Sequence, residues 1–372
     1  MKEYNAIVIG LGAVGSAALY FLSKNGTQVL GIDRFDPPHP MGSSHGETRI
    51  SRLAVGEGQE YVKLARRSQE IWNQLGQESS QQLFCQTGGL LIDSGLRPWT
   101  KHGGSSFFDT TCQIAQSEKI QHEILSEESI RKRYPAFVLS DQARGYLERS
   151  AGYAFPERII RAQLDLAERN GAKIRINQPV RSIQQRNGWV EIDLIHERFR
   201  ARQVVIAAGG WILDFLEKEE KERLKISRQV LHWIAFEKGS PMAELNSVFM
   251  WGFGPNPSDF LYGFPSLDGS TIKIATEQFE DSGHPDLLLR SVSRREKERF
   301  WEEKLQGKFQ GLLPKFERSE VCFYTLTPDA KFVIRNHPQM DQVKFVSACS
   351  GHGFKHASAL GEELAGELLM RF

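Results

Sequence analysis

A glycine-rich loop near the start of the chain constrains the fold more than any other stretch. Residues 6–9, Ala-Ile-Val-Ile, form a short continuous apolar run, which is typical of a buried parallel strand. Gly10, Gly12 and Gly15 follow in G-x-G-x-x-G spacing. In a Rossmann unit the first glycine makes the tight turn, the second lets the backbone approach a pyrophosphate, and the third lets the helix pack on the strand. The pattern predicts a dinucleotide site, although a βαβ turn with incidental glycines would carry the same residues.

The residues after the glycines complete such a unit. Residues 16–24 have the pattern of a helix that ends at Asn25-Gly26, and Val29–Ile32 is a second short apolar strand. Asp33 stands at the end of that strand, where an acidic side chain can accept a hydrogen bond from a ribose hydroxyl. The N-terminus of the helix would face the phosphates, because its unpaired N–H groups attract anions. This order of elements favours a dinucleotide site over an incidental turn.

Composition argues against several classes of partner. With 47 Lys and Arg against 46 Asp and Glu, the formal net charge is +1, so neither nucleic acid nor an anionic membrane is expected as a partner. No apolar run approaches the roughly 20 residues of a membrane span. The first strand begins almost at once, which leaves no room for a signal peptide and predicts a cytoplasmic protein. Cys85, Cys112, Cys322 and Cys349 lack metal-type spacing, so neither a disulfide framework nor a metal site is predicted.

A polar loop leaves the second strand. Residues 34–52 contain three prolines and several small residues, which predict irregular structure. The loop carries His45, Arg49 and Arg52. It could bring these side chains into a cofactor cavity, or it could be a solvated surface loop, and composition alone does not decide between the two.

The rest of the chain mixes helical and strand patterns. Helices are predicted over residues 60–75, 126–133, 156–170, 287–305 and 357–370. Antiparallel strands are predicted over residues 173–176, 180–184 and 190–195, and a late parallel strand of the nucleotide-binding sheet over residues 204–208. Further strands are predicted over residues 230–236, 260–264, 271–274, 321–325, 332–335 and 343–347.

This order predicts an α/β fold in which the nucleotide domain is interrupted. Segments 1–90, 145–220 and 320–372 are assigned to that domain, and segments 91–144 and 221–319 to an α+β cap that binds the substrate. A nicotinamide-dependent dehydrogenase usually keeps its nucleotide domain unbroken. The interleaved order therefore favours FAD over NAD as the cofactor.

Five short segments in a fixed order carry a resemblance to a known family. They are Phe-Asp-Pro-Pro-His at 35–39, His-Gly-Glu-Thr-Arg-Ile-Ser-Arg at 45–52, Tyr-Gly-Phe-Pro-Ser at 262–266, Val-Cys-Phe-Tyr at 321–324 and Ser-Gly-His-Gly-Phe-Lys at 350–355. With them the chain resembles, from end to end, the monomeric sarcosine oxidase and N-methyltryptophan oxidase family of the D-amino-acid oxidase superfamily. The resemblance implies an FAD-binding Rossmann-like domain of the glutathione-reductase type, interleaved with an antiparallel-sheet substrate domain.

The resemblance also implies an activity, the FAD-dependent oxidation of the CH–NH group of a secondary amine. Such an enzyme oxidises an N-methyl or N-alkyl amino acid, such as sarcosine or N-methyltryptophan, to an imine that water hydrolyses to an aldehyde and an amine. Oxygen is reduced to hydrogen peroxide, so the implied partners are a small amino-acid substrate and oxygen, and a monomer is expected rather than an oligomer. Amino-acid dehydrogenases, cyclic imino-acid oxidases and fructosyl-amino-acid oxidases of the same superfamily stay open, as does an FAD-binding scaffold without turnover.

The family's flavin-binding and catalytic residues can be placed on this sequence. In the family the cysteine of the Val-Cys-x-Tyr strand binds the flavin 8α-methyl group as a thioether, and Cys322 stands at that position. His45 and Arg49 match catalytic loop residues against the flavin ring, and Lys273 matches the lysine that helps the reduced flavin react with oxygen. Without the family, Cys322 would be a small buried hydrophobe and Lys273 an exposed strand lysine. The resemblance also assigns cofactor binding to Arg34, Val180, Gly351 and Lys355.

The resemblance places the substrate against a pair of cations. Arg52 matches the arginine that binds the substrate carboxylate through two hydrogen bonds, and Lys355 matches the lysine that shares this carboxylate. Tyr262 and Tyr324 match aromatic residues of the substrate pocket, although either could be a core residue. Glu277 departs from the family, which usually has a histidine four residues after the catalytic lysine. A carboxylate there would raise the pKa of the substrate amine, which must be neutral to be oxidised, so Glu277 is predicted to alter the choice of substrate.

Overall fold

The computed structural model of the protein describes residues 1–95, 99–100, 106–347 and 350–371, and these residues form three β-sheets and eight α-helices. The helices are α1 (Ala13–Lys24), α2 (Val62–Ser79), α3 (Phe107–Ser117), α4 (Glu127–Arg133), α5 (Pro156–Arg169), α6 (Lys218–Lys221), α7 (Arg294–Phe300) and α8 (Ala357–Leu369). The strands are β1 (Lys2–Ile9), β2 (Val29–Ile32), β3 (Arg49–Ser51), β4 (Phe84–Cys85), β5 (Gly89–Asp93), β6 (His122–Ser126), β7 (Arg144–Glu148), β8 (Gly152–Ala154), β9 (Lys173–Arg175), β10 (Ser182–Arg186), β11 (Trp189–Asp193), β12 (Arg198–Ile206), β13 (Lys225–Phe236), β14 (Val248–Gly252), β15 (Phe260–Gly263), β16 (Thr271–Ala275), β17 (Leu312–Leu326), β18 (Val333–Asn336) and β19 (Val343–Ser347).

The first sheet is parallel at its centre, in the order β9-β2-β1-β12-β19. Antiparallel strands β10, β11 and β18 complete it. In β1, Ala6 and Val8 belong to one buried core, and Ile7 and Ile9 belong to another. Because both faces of the sheet are covered, the strand sequence is a continuous apolar run rather than an alternating one. The predicted late parallel strand is confirmed, since β12 pairs in parallel with β1.

The second sheet has eight strands in the order β17-β13-β16-β15-β14-β5-β7-β6. Its pairs are antiparallel except for β14 and β5, which run parallel. Phe137, Phe249 and Trp251 pack edge-to-face at the centre of its core. A third sheet, β3-β8-β4, is small. The predicted α/β fold class with a largely antiparallel second sheet is confirmed.

The domain boundaries given above stay a prediction. The sheets bear on their exact placement, because β5 and β7 pair with each other in the second sheet and β17 borders that sheet. We propose that the substrate domain includes these three strands. The chain would then pass from one domain to the other in the loops that flank these three strands.

Three local predictions are wrong. The helix predicted over residues 287–305 begins only at Arg294, and residues 288–293 are not helical. Residues 173–176 do not form an antiparallel strand, because β9 follows the crossover helix α5 and pairs in parallel with β2. The loop over residues 34–52 is not wholly irregular, because it includes β3, which pairs with β8 in the third sheet. This pairing fixes the backbone at Arg49, one of the predicted site residues.

A buried polar network joins four helices beneath the glycine loop. Ser16 of α1 donates to Oε1 of Gln163 on α5 at 2.7 Å. Gln163 donates to the hydroxyl of Ser358 on α8 at 2.9 Å, and Trp72 of α2 donates to the same hydroxyl at 2.8 Å. Hydrogen bonds in a low-dielectric interior specify one arrangement of the packed elements. The helices that frame the cofactor site are therefore held in a fixed relation.

In the described part of the chain, no helix is both long and apolar enough to cross a membrane. Within the same residues, no group of three or more His, Cys, Asp or Glu could hold a metal ion. Cys85, Cys112 and Cys322 are free thiols, and Cys349 lies outside the described residues.

Candidate active site

The glycine loop, residues 10–15, closes tightly between β1 and α1. Gly10 has a φ of +87°, and a Cβ there would lie 2.6 Å from the carbonyl oxygen of Ala207. A Cβ at Gly15 would lie 1.8 Å from the carbonyl oxygen of Gly10. Gly12 is different, because no protein atom lies within 4 Å of its Cβ position and the residue lines a cavity. The first and third glycines thus satisfy packing, while the second leaves space for a ligand to approach the backbone.

The N-terminus of α1 faces the same cavity. Gly12 is the N-cap residue, no side chain caps the helix, and its first turn has no acidic residue. Ala13 and Val14 of this turn line the cavity. The unpaired N–H groups and the helix dipole therefore favour an anion there, as the pyrophosphate of a dinucleotide requires.

Asp33 is hydrogen-bonded to the glycine loop. Its Oδ2 accepts a hydrogen bond from the N–H of Leu11 at 2.7 Å, and its Oδ1 accepts one from the N–H of Phe35 at 2.8 Å. A carboxylate has about four acceptor positions, so the side chain retains capacity for a ribose hydroxyl. Arg34 is next to it, with its guanidinium 5.1 Å from the ring centroid of Trp211. Asp33 and Arg34 both line the cavity, as expected of residues predicted to bind the nucleotide.

The main cavity has a volume of about 320 Å³ and is built from distant parts of the chain. The predicted site residues on its wall are Gly10, Gly12, Asp33, Arg34, Arg49, Val180, Tyr324 and Gly351. An open backbone at Gly12, a helix N-terminus and a buried acid fit the pyrophosphate and ribose of a dinucleotide, so the residues present are compatible with FAD. Gly15 is enclosed by the packing of the loop. The other predicted residues do not line this cavity, namely His45, Arg52, Tyr262, Lys273, Glu277, Cys322 and Lys355.

The loop over residues 45–49 forms part of the wall at the predicted flavin end. Arg49 lines the cavity and donates from Nη2 to the carbonyl of Ser43 at 2.7 Å. His45 is buried, with Nδ1 3.4 Å from Oε2 of Glu320, and this contact holds the pKa of the Glu320 carboxyl below its usual value. Glu157, in the first turn of α5, accepts hydrogen bonds from the backbone N–H groups of residues 46 and 47 at 2.6 and 3.1 Å. Glu320 and Glu157, from two different elements, thus both fix this loop.

Lys273 of β16 is buried behind this loop, with 4% of its surface exposed. Its Nζ donates to the carbonyl of Gly46 at 2.6 Å, to the carbonyl of Thr48 at 2.7 Å and to the hydroxyl of Thr48 at 2.8 Å. Burial, with Arg49 nearby, holds the pKa of Lys273 well below its usual range. An ammonium group has three N–H donors, and the loop accepts all three. Lys273 can therefore influence a reacting group through its charge, and it also ties the loop to the second sheet.

Cys322, Tyr262 and Tyr324 lie close together, although β17 and β15 are separated in the sheet by β13 and β16. Cys322 of β17 is 2% exposed and packs in one cluster with Tyr262. Burial raises the pKa of the Cys322 thiol, while Arg49 and Lys273 act in the opposite direction. Tyr324 lines the cavity, and a Cβ at Gly351 would lie 2.5 Å from its ring. A glycine at position 351 is therefore what lets the last loop pack on this tyrosine.

Glu277 is buried at the end of β16 beside the same two tyrosines. Burial raises the pKa of the Tyr262 and Tyr324 phenols well above their usual range, and the negative charge of Glu277 adds to this effect in both. The two phenols also influence each other's pKa. The structure therefore brings the residue that departs from the family pattern next to both predicted pocket tyrosines.

Arg52 has a partner that the sequence did not predict. Its Nη2 donates to Oε2 of Glu57 at 2.7 Å, and both side chains are only 5% exposed. Its Nη1 donates to the carbonyl of Ala54, and the guanidinium lies 5.2 Å from the ring centroid of Phe107. In the absence of a bound carboxylate, the Glu57 side chain thus compensates the buried positive charge.

Lys355 stands just before α8. It is buried and donates from Nζ to the carbonyl of His352 at 2.9 Å. The next residue, His356, is fully buried, and burial together with the charge of Lys355 holds its pKa well below the usual range. Arg52 and Glu57 also act on the pKa of His356, so the predicted carboxylate-binding residues gather around one imidazole.

Glu148 of β7 is a second acidic residue that the sequence did not single out. Its Oε1 accepts the N–H of Leu53 at 2.7 Å, and its Oε2 accepts the N–H of Ala54 at 3.0 Å. The hydroxyl of Tyr146 also donates to Oε2, at 3.1 Å. Glu148 therefore fixes the backbone that follows Arg52, as Glu157 fixes the backbone that precedes Arg49. An isolated acid in a sequence gives no sign of such a role.

Comparisons with known proteins agree with this geometry. The family model described as DAO, FAD dependent oxidoreductase, matches residues 5–367. The chain is 35% identical over 367 residues to monomeric sarcosine oxidase of Arthrobacter sp. (strain TE1826), covering 98% of this chain and 92% of that protein. It is 33% identical over 371 residues to N-methyl-L-tryptophan oxidase of Yersinia pestis (strain Pestoides F), covering 98% and 94%.

Solved structures share the fold. NikD, described as an unusual amino acid oxidase essential for nikkomycin biosynthesis, superposes with a TM-score of 0.83 at 19% identity, over 100% of this chain and 95% of that chain. L-proline dehydrogenase from P. horikoshii superposes with a TM-score of 0.77 at 19% identity, over 100% and 94%.

Proposed function

Because the chain belongs to the DAO family of FAD-dependent oxidoreductases, we propose that it is an oxidase of N-methyl or N-alkyl amino acids that releases an aldehyde, an amine and hydrogen peroxide. The observation that carries this proposal is the buried cationic pair of Arg52 and Lys355, which we call the carboxylate clamp. A buried guanidinium suits a planar carboxylate, and an amino acid supplies one beside its amine. The near full-length identity to sarcosine and N-methyltryptophan oxidases supports a secondary amine as the group oxidised.

Different residues of the chain would bind the two halves of the cofactor. Gly10, Gly12 and Asp33 would hold the ADP half of FAD, with the pyrophosphate at the N-terminus of α1. FAD, when bound, supplies the acceptor for the hydride equivalent that leaves the C–H bond beside the amine. Arg49 lines the other end of the cavity, and its permanent positive charge favours negative charge that develops beside it.

The clamp would orient the substrate. With the carboxylate bound by Arg52 and Lys355, the amine and its neighbouring C–H bonds are directed toward the flavin end of the cavity, which removes much of the entropic part of the barrier. Tyr262 and Tyr324 stay protonated at neutral pH because burial raises the pKa of both phenols, so each can donate a hydrogen bond. Glu277 would lie on the amine side and favour a cationic group there.

A substrate screen by peroxide release tests the proposal. Purified enzyme is offered a panel of N-methyl amino acids, together with proline, glycine and fructosyl amino acids, and hydrogen peroxide is measured by a coupled peroxidase. We expect peroxide with at least one N-methyl amino acid, and the matching aldehyde in equal amount. Peroxide with a primary or cyclic amine only would replace this function by that of another family member.

We also propose that the flavin is bound covalently through Cys322. The buried thiol packs against Tyr262 and directly precedes two residues that line the cavity, Phe323 and Tyr324. After acid precipitation the yellow flavin should stay with the polypeptide of the wild-type protein. Cys322→Ser should release it into the supernatant, whereas Cys85→Ser, a change at another free thiol, should not. Release from the wild-type protein would refute the covalent link.

Glu277 should set the preference among substrates. Exchange of the carboxylate for an imidazole removes the negative charge that would keep the substrate amine protonated. We expect Glu277→His to raise kcat/KM for sarcosine relative to the best wild-type substrate by at least about tenfold. Glu277→Gln, which removes the charge and keeps the shape, should move the same ratio in the same direction. An unchanged substrate profile in both variants would show that the side chain does not meet the substrate.

The relative from Arthrobacter is described as a monomeric sarcosine oxidase. We therefore propose that the protein is active as a monomer. Sedimentation equilibrium at the concentration of the activity assay would measure this, and a stable dimer would contradict it.

A further inference from the structure

A second cavity, of about 260 Å³, lies on the other side of the loop over residues 45–49. Glu47 and Thr48 of this loop line it, whereas Arg49 lines the main cavity, and the two linings share no residue. Lys273 lines the second cavity and is hydrogen-bonded to this loop. The loop is therefore a thin wall between two spaces, and the buried ammonium is reached from the second one.

The charged residues on this lining are paired within the protein. Glu47 accepts from Arg318 at 2.6 Å and from the indole N–H of Trp233 at 2.8 Å. Asp268 accepts from the hydroxyl and the backbone N–H of Thr271, both at 2.7 Å. The remaining acid of the lining, Glu317, pairs with Lys315 at 2.5 Å.

The two cations of the lining are engaged as well. The three N–H donors of Lys273 are taken by the loop. Arg318 pairs with Glu47, and its guanidinium lies 3.6 Å from the ring centroid of Trp233. An anionic ligand that bound to Lys273 would have to displace the buried hydrogen bonds that Lys273 makes to the loop. The cavity therefore offers little to an ion.

The wall also has an apolar part. Trp233, Phe264, Pro265 and Leu267 supply it, and the Nζ of Lys273 lies 4.1 Å from the ring centroid of Phe264. Leu267 is 49% exposed although it lines the cavity, which puts it at the mouth. An apolar passage that runs from the surface to a buried positive charge suits a small neutral molecule, because such a molecule loses little hydration on entry.

We propose that this second cavity is the entry route of dioxygen to the Lys273 side of the active site, separate from the cavity that binds the cofactor and the amine. The inference rests on the proposed oxidase function, in which the two electrons and two protons taken from the amine reduce one dioxygen to one hydrogen peroxide. A neutral oxidant needs no cationic entrance. It gains from the charge of Lys273 only where negative charge develops on it, at the inner end of the passage.

Narrowing the mouth tests the route. Leu267→Trp adds bulk at the entrance, and Ile195→Trp is the matched control, since Ile195 is 46% exposed and lines neither cavity. The holoenzyme is reduced with dithionite under anaerobic conditions and mixed with oxygenated buffer in a stopped-flow instrument. We expect Leu267→Trp to lower the second-order rate constant of reoxidation by about tenfold, and Ile195→Trp to leave it within about twofold of wild type.

Xenon provides a readout that does not depend on activity. Wild-type crystals pressurised with xenon should show the gas between Trp233, Phe264 and Leu267, because xenon enters dry apolar cavities. Equal reoxidation rates for both variants, or no xenon in this cavity, would overturn the route.

Reduction by dithionite needs no amine, so this test stands even if the substrate screen fails. Conversely, the enzyme could oxidise N-methyl amino acids while its Leu267→Trp variant reoxidises at the normal rate. That result would refute the entry route and leave the proposed function intact.

Discussion

Lys273→Met should slow the reoxidation of the reduced enzyme by roughly 10²–10³-fold, the usual effect of removing a preorganised charge from a developing anion. Reduction of the enzyme by the amine should change much less, because Lys273 contacts the loop over residues 45–49 and lies outside the lining of the main cavity. Stopped-flow measurement of the two half-reactions separates these effects. Similar losses in both would show that Lys273 acts only by holding the loop.

The variant Lys273→Arg is the control for this experiment. Arginine keeps the positive charge and can donate to the carbonyls of Gly46 and Thr48, which accept from Lys273 in the wild-type protein. It should recover most of the reoxidation rate. Thermal denaturation of both variants measures the contribution of the hydrogen bonds to stability. If Lys273→Met reoxidises at the wild-type rate, the electrostatic role is wrong.

Arg52→Gln should raise KM for the amino-acid substrate by roughly 100-fold, since a charge-assisted pair with a carboxylate contributes up to about 3 kcal/mol. The substrate carboxylate has to share the guanidinium with Glu57 or displace it, because these two buried side chains are paired at 2.7 Å. Steady-state kinetics with an N-methyl amino acid and with the corresponding N-methyl amine, which lacks the carboxylate, make the comparison. Only the amino acid should be affected.

The same substitution removes the ion pair between Arg52 and the buried carboxylate of Glu57. Breaking a buried ion pair in this way costs about 3–5 kcal/mol of stability, so the single variant should melt at a lower temperature. The double variant Arg52→Gln with Glu57→Gln also removes the carboxylate charge and should recover most of the stability. Its KM should stay high. If the double variant also recovered KM, Arg52 would not bind the carboxylate.

The parts of the fold that the sequence predicted well are those with strong local signals. Residues 6–9 of β1 and residues 204–206 of β12 are apolar on both faces because the parallel sheet is covered on both sides. β7 lacks such a signal, since Gly145 interrupts it and charged residues flank it. The direction of β9 could not be predicted either, because its short half-exposed sequence does not encode its partner. The parallel pairing of β9 with β2 depends on the crossover helix α5 that precedes β9. This is a tertiary effect.

The residues of the candidate site were likewise predictable only where a local sequence signal exists. Residues within motifs, such as Gly12, Asp33 and Arg49, stand where the spacing predicted them, on one cavity wall. Glu57, Glu148 and Glu157 belong to no motif, and two of them meet their partners across about a hundred residues of sequence. A single acid in a helix or a strand is most often a solvated side chain. Only the folded arrangement reveals which of them accept buried hydrogen bonds.

The buried polar network that joins α1, α2, α5 and α8 affects when the chain can fold during its synthesis. Helix α1 packs closely on α8, since a Cβ at Gly361 would lie 2.4 Å from that of Ala17, and β12 pairs with β19 near residue 345. A nascent chain that has emerged only as far as α5 therefore lacks both the sheet neighbour and the helix that complete the cavity. Until α8 leaves the ribosome, exposed apolar surface makes the chain a substrate for chaperones. We therefore expect FAD to stabilise only chains in which α8 has joined the fold.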